Sequence, residues 1–458
     1  MGAAGSCVVV GLGRTGASCL RYLARHGIDV AATDSRAAPP GLEEIGHLAQ
    51  TLELRLGGFD LALLDGASQV VLSPGVSPDE PIVRAARARG IDVVGDIELF
   101  ARAVRAPVIG ITGTNGKSTV TSLVAAMAAA AGRRVLAGGN LGVPALDLLD
   151  QPLPDLYVLE LSSFQLETTA SLDLTAAAVL NVTADHMDRY RDVAAYAAAK
   201  ARIFARAATA VLNADDPRVA AMDTRGHSTK TFSTRHPDAD YSLSHRDGRV
   251  YLARHGEALL DTSLLKISGR HNAANALAAL ALGDAAGLPL ASTLSALEAF
   301  PGLQHRSAWV GTVAGVRYID DSKGTNVGAT LAAVDGLAGP LVMIAGGDGK
   351  GQDFTPLAAG FAHKVRHVVL IGRDAAALER VLAAVCTTER AASMADAVAA
   401  AARAAAPGDT VLLSPACASL DMFRDYGHRG DVFAAAVRAL ADGAADTAGA
   451  AVVAEPQG

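Results

Sequence analysis

Apolar and polar positions along this chain alternate in blocks. Short apolar runs of the kind that fill a strand covered on both faces occur at residues 7–10, 29–33, 69–72, 108–111, 156–159, 177–180 and 209–212. Others follow near 317–319, 341–344, 368–371 and 410–413. Longer alanine-rich stretches, such as 17–26, 120–131 and 273–282, read as helices between them. This alternation predicts an α/β fold, with parallel sheets carrying helices on both faces and polar or glycine-rich turns at the carboxyl ends of the strands, where ligands bind in such folds. Residues 226–268 break the pattern with short alternating stretches around Asp247-Gly248, which predict a small antiparallel meander.

The blocks fall into three segments that are not repeats of one another. The expected domains are 1–96, Rossmann-like, with a glycine-rich first turn; 97–302, a central domain of the P-loop ATPase type that includes the meander; and 303–458, Rossmann-like again. From about residue 442 the chain is rich in Ala and Gly without a clear period and reads as a loose tail. Half of the 458 residues are hydrophobic and 19% are charged, enough for large cores. Net charge is −7 with no run of Lys or Arg, so nucleic acid is not expected as a partner. Cys7, Cys19, Cys386 and Cys417 are scattered without CxxC spacing, which fits a reducing compartment rather than a disulfide framework or structural zinc. No apolar run reaches membrane-spanning length. A soluble, cytoplasmic, monomeric protein without membrane insertion is expected.

The most informative chemistry is Gly113-Thr114-Asn115-Gly116-Lys117-Ser118-Thr119, between a strand and a helix. Glycines let backbone N–H groups approach phosphate oxygens, the helix N-terminus adds partial positive charge, Lys117 adds a full one, and a hydroxyl can reach Mg²⁺. The strict phosphate-loop pattern needs a glycine five residues before Gly116, where Ile111 stands, so this loop is a variant. The alternative is a glycine-rich turn with no ligand, but a lysine followed by two hydroxyls at a helix start has no packing purpose. Upstream, Gly11-Leu12-Gly13-Arg14-Thr15-Gly16, with Asp34 ending the second strand, matches a dinucleotide fingerprint. The fingerprint fits an NAD-linked oxidoreductase or a nucleotide-diphosphate substrate, and the lysine loop favours the latter, since hydride transfer needs no triphosphate site. Glu160, at a strand's carboxyl end, is placed either to hold Mg²⁺ or to cap the following helix. His186 reads equally as a metal ligand or a solvated turn residue. Lys200, in an apolar helix, either snorkels to the surface or, buried as a neutral amine, takes up CO₂ to become an anionic carbamate.

Over residues 5–440 the chain resembles the Mur ligases, the ATP-dependent amino-acid ligases of peptidoglycan precursor synthesis. The Thr112 to Thr119 loop is a form shared with folylpolyglutamate synthetases. Further stretches are similar to the branch that uses D-glutamate: 138–142, 160–167, 181–190, His271-Asn272 with Asn275, His305-Arg306, 320–326, 346–350 and 413–421. The resemblance implies that Arg14, Thr15, Asp34, Ser35, Ser73, Gly75, Ser162 and Gln165 bind the UDP substrate. It implies that Gly113, Thr114, Asn115, Gly116, Lys117, Ser118, Thr119, Asn140, Asn275, Arg306 and Asp321 bind ATP. It assigns Ser118, Thr119, Glu160, His186 and Lys200, as its carbamate, to two Mg²⁺ ions, with Lys117, Glu160, His186 and Lys200 catalytic. Lys350, Ser419, Leu420, Tyr426, Thr325 and His186 would line the amino-acid pocket, and His305, Lys323 and Asp348 would help close the third domain. The spacing from His186 to Lys200 is one residue shorter than in the family form, and Tyr426 stands where phenylalanine is expected.

The implied reaction joins D-glutamate to UDP-N-acetylmuramoyl-L-alanine. A carboxylate is a poor electrophile, so it is first phosphorylated by ATP, and the glutamate amine then attacks the acyl phosphate. Three substrates on three domains imply an open form that closes once loaded. Alternatives are an amide ligase of the same superfamily using L-glutamate or another amino acid, a folylpolyglutamate-synthetase-like enzyme, or, in a different class, a nucleotide-regulated binding protein.

Overall fold

In the computed structural model, residues 6–140, 142–267 and 269–450 are described, the side chains of 443–450 excepted. The strands are β1 (Ser6–Val10), β2 (Val30–Asp34), β3 (Glu53–Leu56), β4 (Ala67–Leu72) and β5 (Asp92–Val94), then β6 (Val108–Thr112), β7 (Val135–Gly139), β8 (Leu156–Glu160), β9 (Leu174–Val179) and β10 (Ala207–Asn213). They continue with β11 (Ser228–Phe232), β12 (Tyr241–Arg246), β13 (Arg249–Arg254), β14 (Glu257–Asp261), β15 (Ala308–Val313), β16 (Val316–Asp320), β17 (Leu341–Gly346), β18 (Val365–Ile371), β19 (Thr387–Arg390) and β20 (Thr410–Leu413).

They form three sheets, in the orders β3-β2-β1-β4-β5, β14-β13-β12-β11-β10-β9-β6-β8-β7 and β15-β16-β20-β17-β18-β19. The expected α/β class is therefore realised. The first sheet is wholly parallel. In the second, β12, β13 and β14 are antiparallel, but β11 joins them to β10, so the meander extends the central sheet rather than standing apart from it. In the third, only β15 runs antiparallel to its neighbour. The strands that the apolar pattern did not reveal, β3, β5, β7, β15 and β19, all carry a polar or glycine-rich face. All five lie at sheet edges, where one side of the backbone meets no neighbour.

Strands buried on both faces need apolar residues at every position, and the third sheet shows how two cores share them. Leu341, Met343 and Ala345 face one way, against Leu357, Phe361 and Leu378. Val342 and Ile344 face the other, against Ala397, Val398 and Phe433. The last helix runs Tyr426–Ala450, so the stretch expected as a loose tail begins as helical backbone; residues 451–458 of that tail lie outside the described residues, as does Leu141 of the 138–142 motif.

By its contacts the chain divides into two compact units. One comprises Met1–Val182, Ala194–Leu265 and Ala274–Phe300 and holds the first two sheets; the other comprises Thr183–Val193, Lys266–Ala273 and Pro301–Gly458 and holds the third. In the first unit the Arg14–Arg25 helix packs so closely on the turn after β1 that a Cβ on Gly16 would sit 2.0 Å from the Gly11 carbonyl oxygen and 2.9 Å from Ser73 Oγ. Gly16→Ala should accordingly cost about 1–3 kcal/mol of stability through forced displacement of the helix. A lowered urea midpoint is the expected reading, and an unchanged midpoint would show that the turn can yield.

Candidate active site

Register within the second sheet assembles the first cluster. β6 pairs in parallel with β8, setting Ile111 opposite Glu160, and with β9, setting Thr112 opposite Val179. β7 pairs with β8, with Gly139 opposite Glu160. The carboxyl ends of four strands therefore emerge side by side. Ile111 is a fully buried strand residue, so the loop begins only at Gly113. Gly116 caps the Lys117–Ala130 helix in a left-handed conformation (φ 85°) that suits glycine. The lysine opens the helix and arches back: its Nζ donates to the Gly113 carbonyl at 2.9 Å and to the Thr114 carbonyl at 3.0 Å. Ser118 and Thr119 are buried in the first helical turn. The Asn275 side chain borders the loop so tightly that a Cβ on Gly116 would meet its Oδ1 at 2.4 Å.

Lys200 reaches the same loop. It is 1% exposed, and its Nζ donates to the Gly113 carbonyl at 2.9 Å while lying 4.3 Å from the centre of the Tyr196 ring. Surface snorkelling is thereby excluded, and two lysine Nζ atoms share one carbonyl oxygen. Glu160 is also buried; Asn140 Nδ2 donates to its Oε1 at 2.6 Å, and the Asn140 amide donates to its main-chain carbonyl. The helix after Glu160 is capped by Ser162 and Gln165 reciprocally, not by Glu160. The Gln165 amide also donates to Asp96 Oδ2 at 2.8 Å. Burial raises the Asp96 carboxyl to about 6, against the opposing pull of that hydrogen bond. Gln165 thus has two protein partners inside the fold.

On the first sheet, Asp34 is 2% exposed and does more than end a strand. Its Oδ2 accepts the Leu12 N–H at 2.6 Å, and Arg36 pairs with both carboxylate oxygens. Burial alone would raise this carboxyl, but these hydrogen bonds prevail and hold it below the usual carboxylate range. Ser73 Oγ donates to the Gly11 carbonyl at 2.6 Å, fixing the glycine turn from the β4 side. Arg14, Ser35 and Gly75 are exposed and Thr15 is half-buried, all beside the start of the Arg14–Arg25 helix or the ends of β2 and β4.

In the second unit, His186 sits at φ 57°, its amide held by Asp185 Oδ1. Lys350, likewise at φ 53°, places its Nζ 2.6 Å from Asp185 Oδ1, and Asn326 Nδ2 donates to Asp185 Oδ2. Thr325 bends back on the Lys323 carbonyl through its amide. Asp348 accepts from the Lys350 amide and from Arg373, and its backbone pairs with Ala418 beside the buried Ser419 and the exposed Leu420. Lys323 Nζ lies 4.1 Å over the Tyr426 ring, a favourable cation–π contact. His305 Nδ1 and Asp320 Oδ2 are 2.6 Å apart. Asp321 is buried next to Asp320: burial raises its carboxyl to about 7 against the opposing Ser414 hydroxyl, Ser307 amide and Arg306 charge.

Three residues of these clusters were given no role from the sequence. Asn181, two residues after the end of β9, binds the lysine loop; Asp185 gathers Lys350, Asn326 and the His186 amide. Arg429, 0% exposed, donates to Ser322 Oγ, the Ser322 carbonyl and the Cys417 carbonyl, tying together the turns after β16 and β20. Asn181 had a visible signal, a polar residue ending an apolar strand run. A buried arginine 107 residues from its partner has none.

Hydroxyls of Ser118 and Thr119 and the carboxylate of Glu160 are hard oxygen donors of the kind Mg²⁺ prefers. Lys200, as an unmodified lysine, is a donor here and fits no cation; only its carbamate would. Among the described residues no three His, Cys, Asp or Glu side chains gather as a metal cluster.

Comparison with known proteins now decides the family. The model of the Mur ligase MurD-like N-terminal domain matches residues 5–95, the Mur ligase middle domain 111–283, and the Mur ligase glutamate ligase domain 305–417. A UDP-N-acetylmuramoylalanine--D-glutamate ligase of Nitrosococcus oceani is 57% identical over 440 residues, covering 95% of this chain and 97% of that protein. The chain belongs to the Mur ligase family. The enzyme of the same name from Methylococcus capsulatus is 51% identical over 435 residues, with 95% of each chain covered. Among solved structures, UDP-N-acetylmuramate-alanine ligase MurC of Thermotoga maritima superposes with a TM-score of 0.61 at 19% identity, over 95% of this chain and 99% of that one. A pseudomurein peptide ligase type C of Methanothermus fervidus gives 0.63 at 18%, over 95% and 100%. These two show the Mur ligase fold.

Asp321 offers a test of the second-unit cluster. A carboxyl raised from 3.8 to about 7 keeps its proton in the folded chain after the unfolded chain has released it. Its contribution to stability is full below the unfolded value and is lost as pH rises through about 7. The stability of the wild type minus that of Asp321→Asn should therefore fall as the pH is raised from about 4 to about 8. Thermal unfolding across that range checks it; a flat difference would show that the carboxyl ionises normally.

Proposed function

We propose that this Mur ligase catalyses the ATP-dependent joining of D-glutamate to UDP-N-acetylmuramoyl-L-alanine, a cytoplasmic step of peptidoglycan precursor synthesis. The observation that carries the reading is the Lys117 loop, set beside Glu160 and Lys200, in a chain collinear with D-glutamate ligases over 95% of its length. The working segments are 1–96 for the UDP substrate, 97–302 for ATP and 303–458 for the amino acid. The free thiols of Cys7, Cys19, Cys386 and Cys417 fit a reducing compartment, and the chain acts as a monomer on small molecules.

The glycine turn and the Arg14–Arg25 helix start take the UDP diphosphate, with Asp34 and Ser73 shaping the turn and Arg14, Thr15, Ser35 and Gly75 facing the nucleotide. Lys117 and the loop amides hold the ATP phosphates. The L-alanyl carboxylate oxygen attacks the γ-phosphorus, the bond to the β-phosphate oxygen breaks, and ADP leaves. Lys117 offsets the charge that these anions bring together. Ser118, Thr119 and Glu160 would hold one Mg²⁺ and His186 and the Lys200 carbamate a second, and such ions would neutralise more of that charge. The glutamate amine, its carboxylates held by Lys350 and the Ser419 turn, then attacks the acyl carbon. Phosphate departs, the amine gives up a proton and an amide forms.

The geometry favours the carbamate. The Nζ atoms of Lys117 and Lys200 on the Gly113 carbonyl stand no farther apart than twice 2.9 Å, and Lys200 is buried, so a positive charge on both would be costly. Loss of a proton leaves Lys200 as a neutral amine, which adds to CO₂ and gives up a second proton; the carbamate anion so formed replaces repulsion by attraction.

Phosphate release with ATP and UDP-N-acetylmuramoyl-L-alanine, scanned over D-glutamate, L-glutamate, D-aspartate, glycine and L-alanine, should respond to D-glutamate alone; a preference for another amino acid would refute the assignment. Lys117→Ala should abolish turnover. Lys200→Ala should lose at least about 100-fold in kcat, in the range of lost metal-supporting groups. Partial rescue by a short-chain carboxylic acid is expected, and failure of rescue would leave Lys200 a structural ammonium.

A further inference from the structure

Two of the loop's amides are taken by Asn181. Thr114 N–H donates to the Asn181 carbonyl at 2.9 Å, and Asn115 N–H donates to Asn181 Oδ1 at 2.8 Å; Asn181 Nδ2 donates back to the Asn115 carbonyl at 3.0 Å. A carboxamide offers an acceptor and a donor side by side, as a peptide group of a neighbouring strand would. Asn181 is anchored in turn. Leu180 N–H donates to the Thr112 carbonyl, Asn213 Nδ2 to the Leu180 carbonyl, and Val182 N–H to Asp216 Oδ2.

The consequence lies on the other side of the same peptide planes. Thr114 N–H shares its planar peptide with the Gly113 carbonyl, which takes both Lys117 Nζ and Lys200 Nζ. Asn115 N–H shares its peptide with the Thr114 carbonyl, which takes Lys117 Nζ. Each plane is gripped by Asn181 at its N–H and turns its oxygen to a lysine. Hydrogen bonds at both ends of one peptide polarise each other, so the grip also strengthens the lysine contacts.

We infer that Asn181 is a positioning residue for ATP: it aims the Gly113 and Thr114 carbonyls that seat Lys117, and it withdraws the Thr114 and Asn115 amides from the phosphate cradle. The inference rests on the reading of this loop as the ATP site. The amides of Gly116 to Thr119, at the helix start, are the ones this reading assigns to phosphate oxygens. The departure from the strict phosphate-loop pattern follows: with Ile111 locked in β6, the loop is too short to wrap a phosphate with its own first residues, and a side chain from the end of β9 braces it from outside.

Residue-resolved amide exchange on the full wild-type chain tests the grip without a substitution. Thr114 and Asn115 should be protected in the ligand-free protein and gain nothing when a non-hydrolysable ATP analogue binds, while Gly116 to Thr119 gain protection. Fast exchange at 114 and 115 that slows on analogue binding would overturn the proposal. Asn181→Ala, which keeps the main-chain acceptor and loses the two side-chain bonds, should raise the Kd for the analogue about tenfold. Its Kd for the UDP substrate should stay within about twofold. Unchanged analogue affinity, or equal weakening of both ligands with a lowered Tm, would reduce Asn181 to a packing residue. Failure of the wild-type chain to bind the analogue would instead refute the ATP site, and exchange in the free chain would still decide the grip.

Discussion

The parallel pairing of β6 between β8 and β9 is the constraint on which the first unit's chemistry depends. Register in a parallel sheet is fixed by apolar residues buried on both faces, and here it sets Ile111 against Glu160 and Thr112 against Val179. Slip either neighbour by one residue and Glu160 would turn to the opposite face, while Asn181 would lose the loop peptides. Nothing polar at the site would hold its place without the apolar ladder beneath it.

That ladder also explains how the unit tolerates so much buried polarity. Lys200, Glu160 and Asp34 are each almost fully buried, and each has hydrogen-bond partners in the backbone or in a neighbouring side chain. Carbonyls that would be costly to bury unpaired are turned toward lysines. The second unit follows the same rule by different means. Among the described residues no carboxylate pairs directly with Arg429; two carbonyls and a hydroxyl hold its guanidinium, and burial pushes it down to about 10. It joins the Ser322 and Cys417 turns, and the Asp321 and Ser419 segments follow from those turns.

Much of this was legible in the chain. The apolar blocks marked the central strands because such strands must be apolar at every position, and the lysine loop stood out because its residue types have no packing use. The edge strands escaped because their polar faces and glycines leave no apolar block, and the meander looked separate because β11 joins it to β10 with alternating residues of mixed character. The helix through Ala450 was missed because alanine and glycine carry no amphipathic stripe. Among the motif residues, Glu160 read as a ligand with a helix cap as the alternative, and the cap is supplied by Ser162 and Gln165. Lys200 read by default as a surface residue, but it is buried and contacts Gly113, 87 residues earlier.

The amino-acid sequence alone determined the fold class, the lysine turn between strand and helix, and the family, because these depend on local spacing: strand, turn, lysine and helix start lie within a dozen residues. Only the tertiary structure decided which lone polar residues act together. Asn181 with Asn115, Asp185 with Lys350, and Arg429 with Ser322 are contacts between distant parts of the chain. Sheet register and strand order bring such pairs together, and neither can be read from residues taken one stretch at a time.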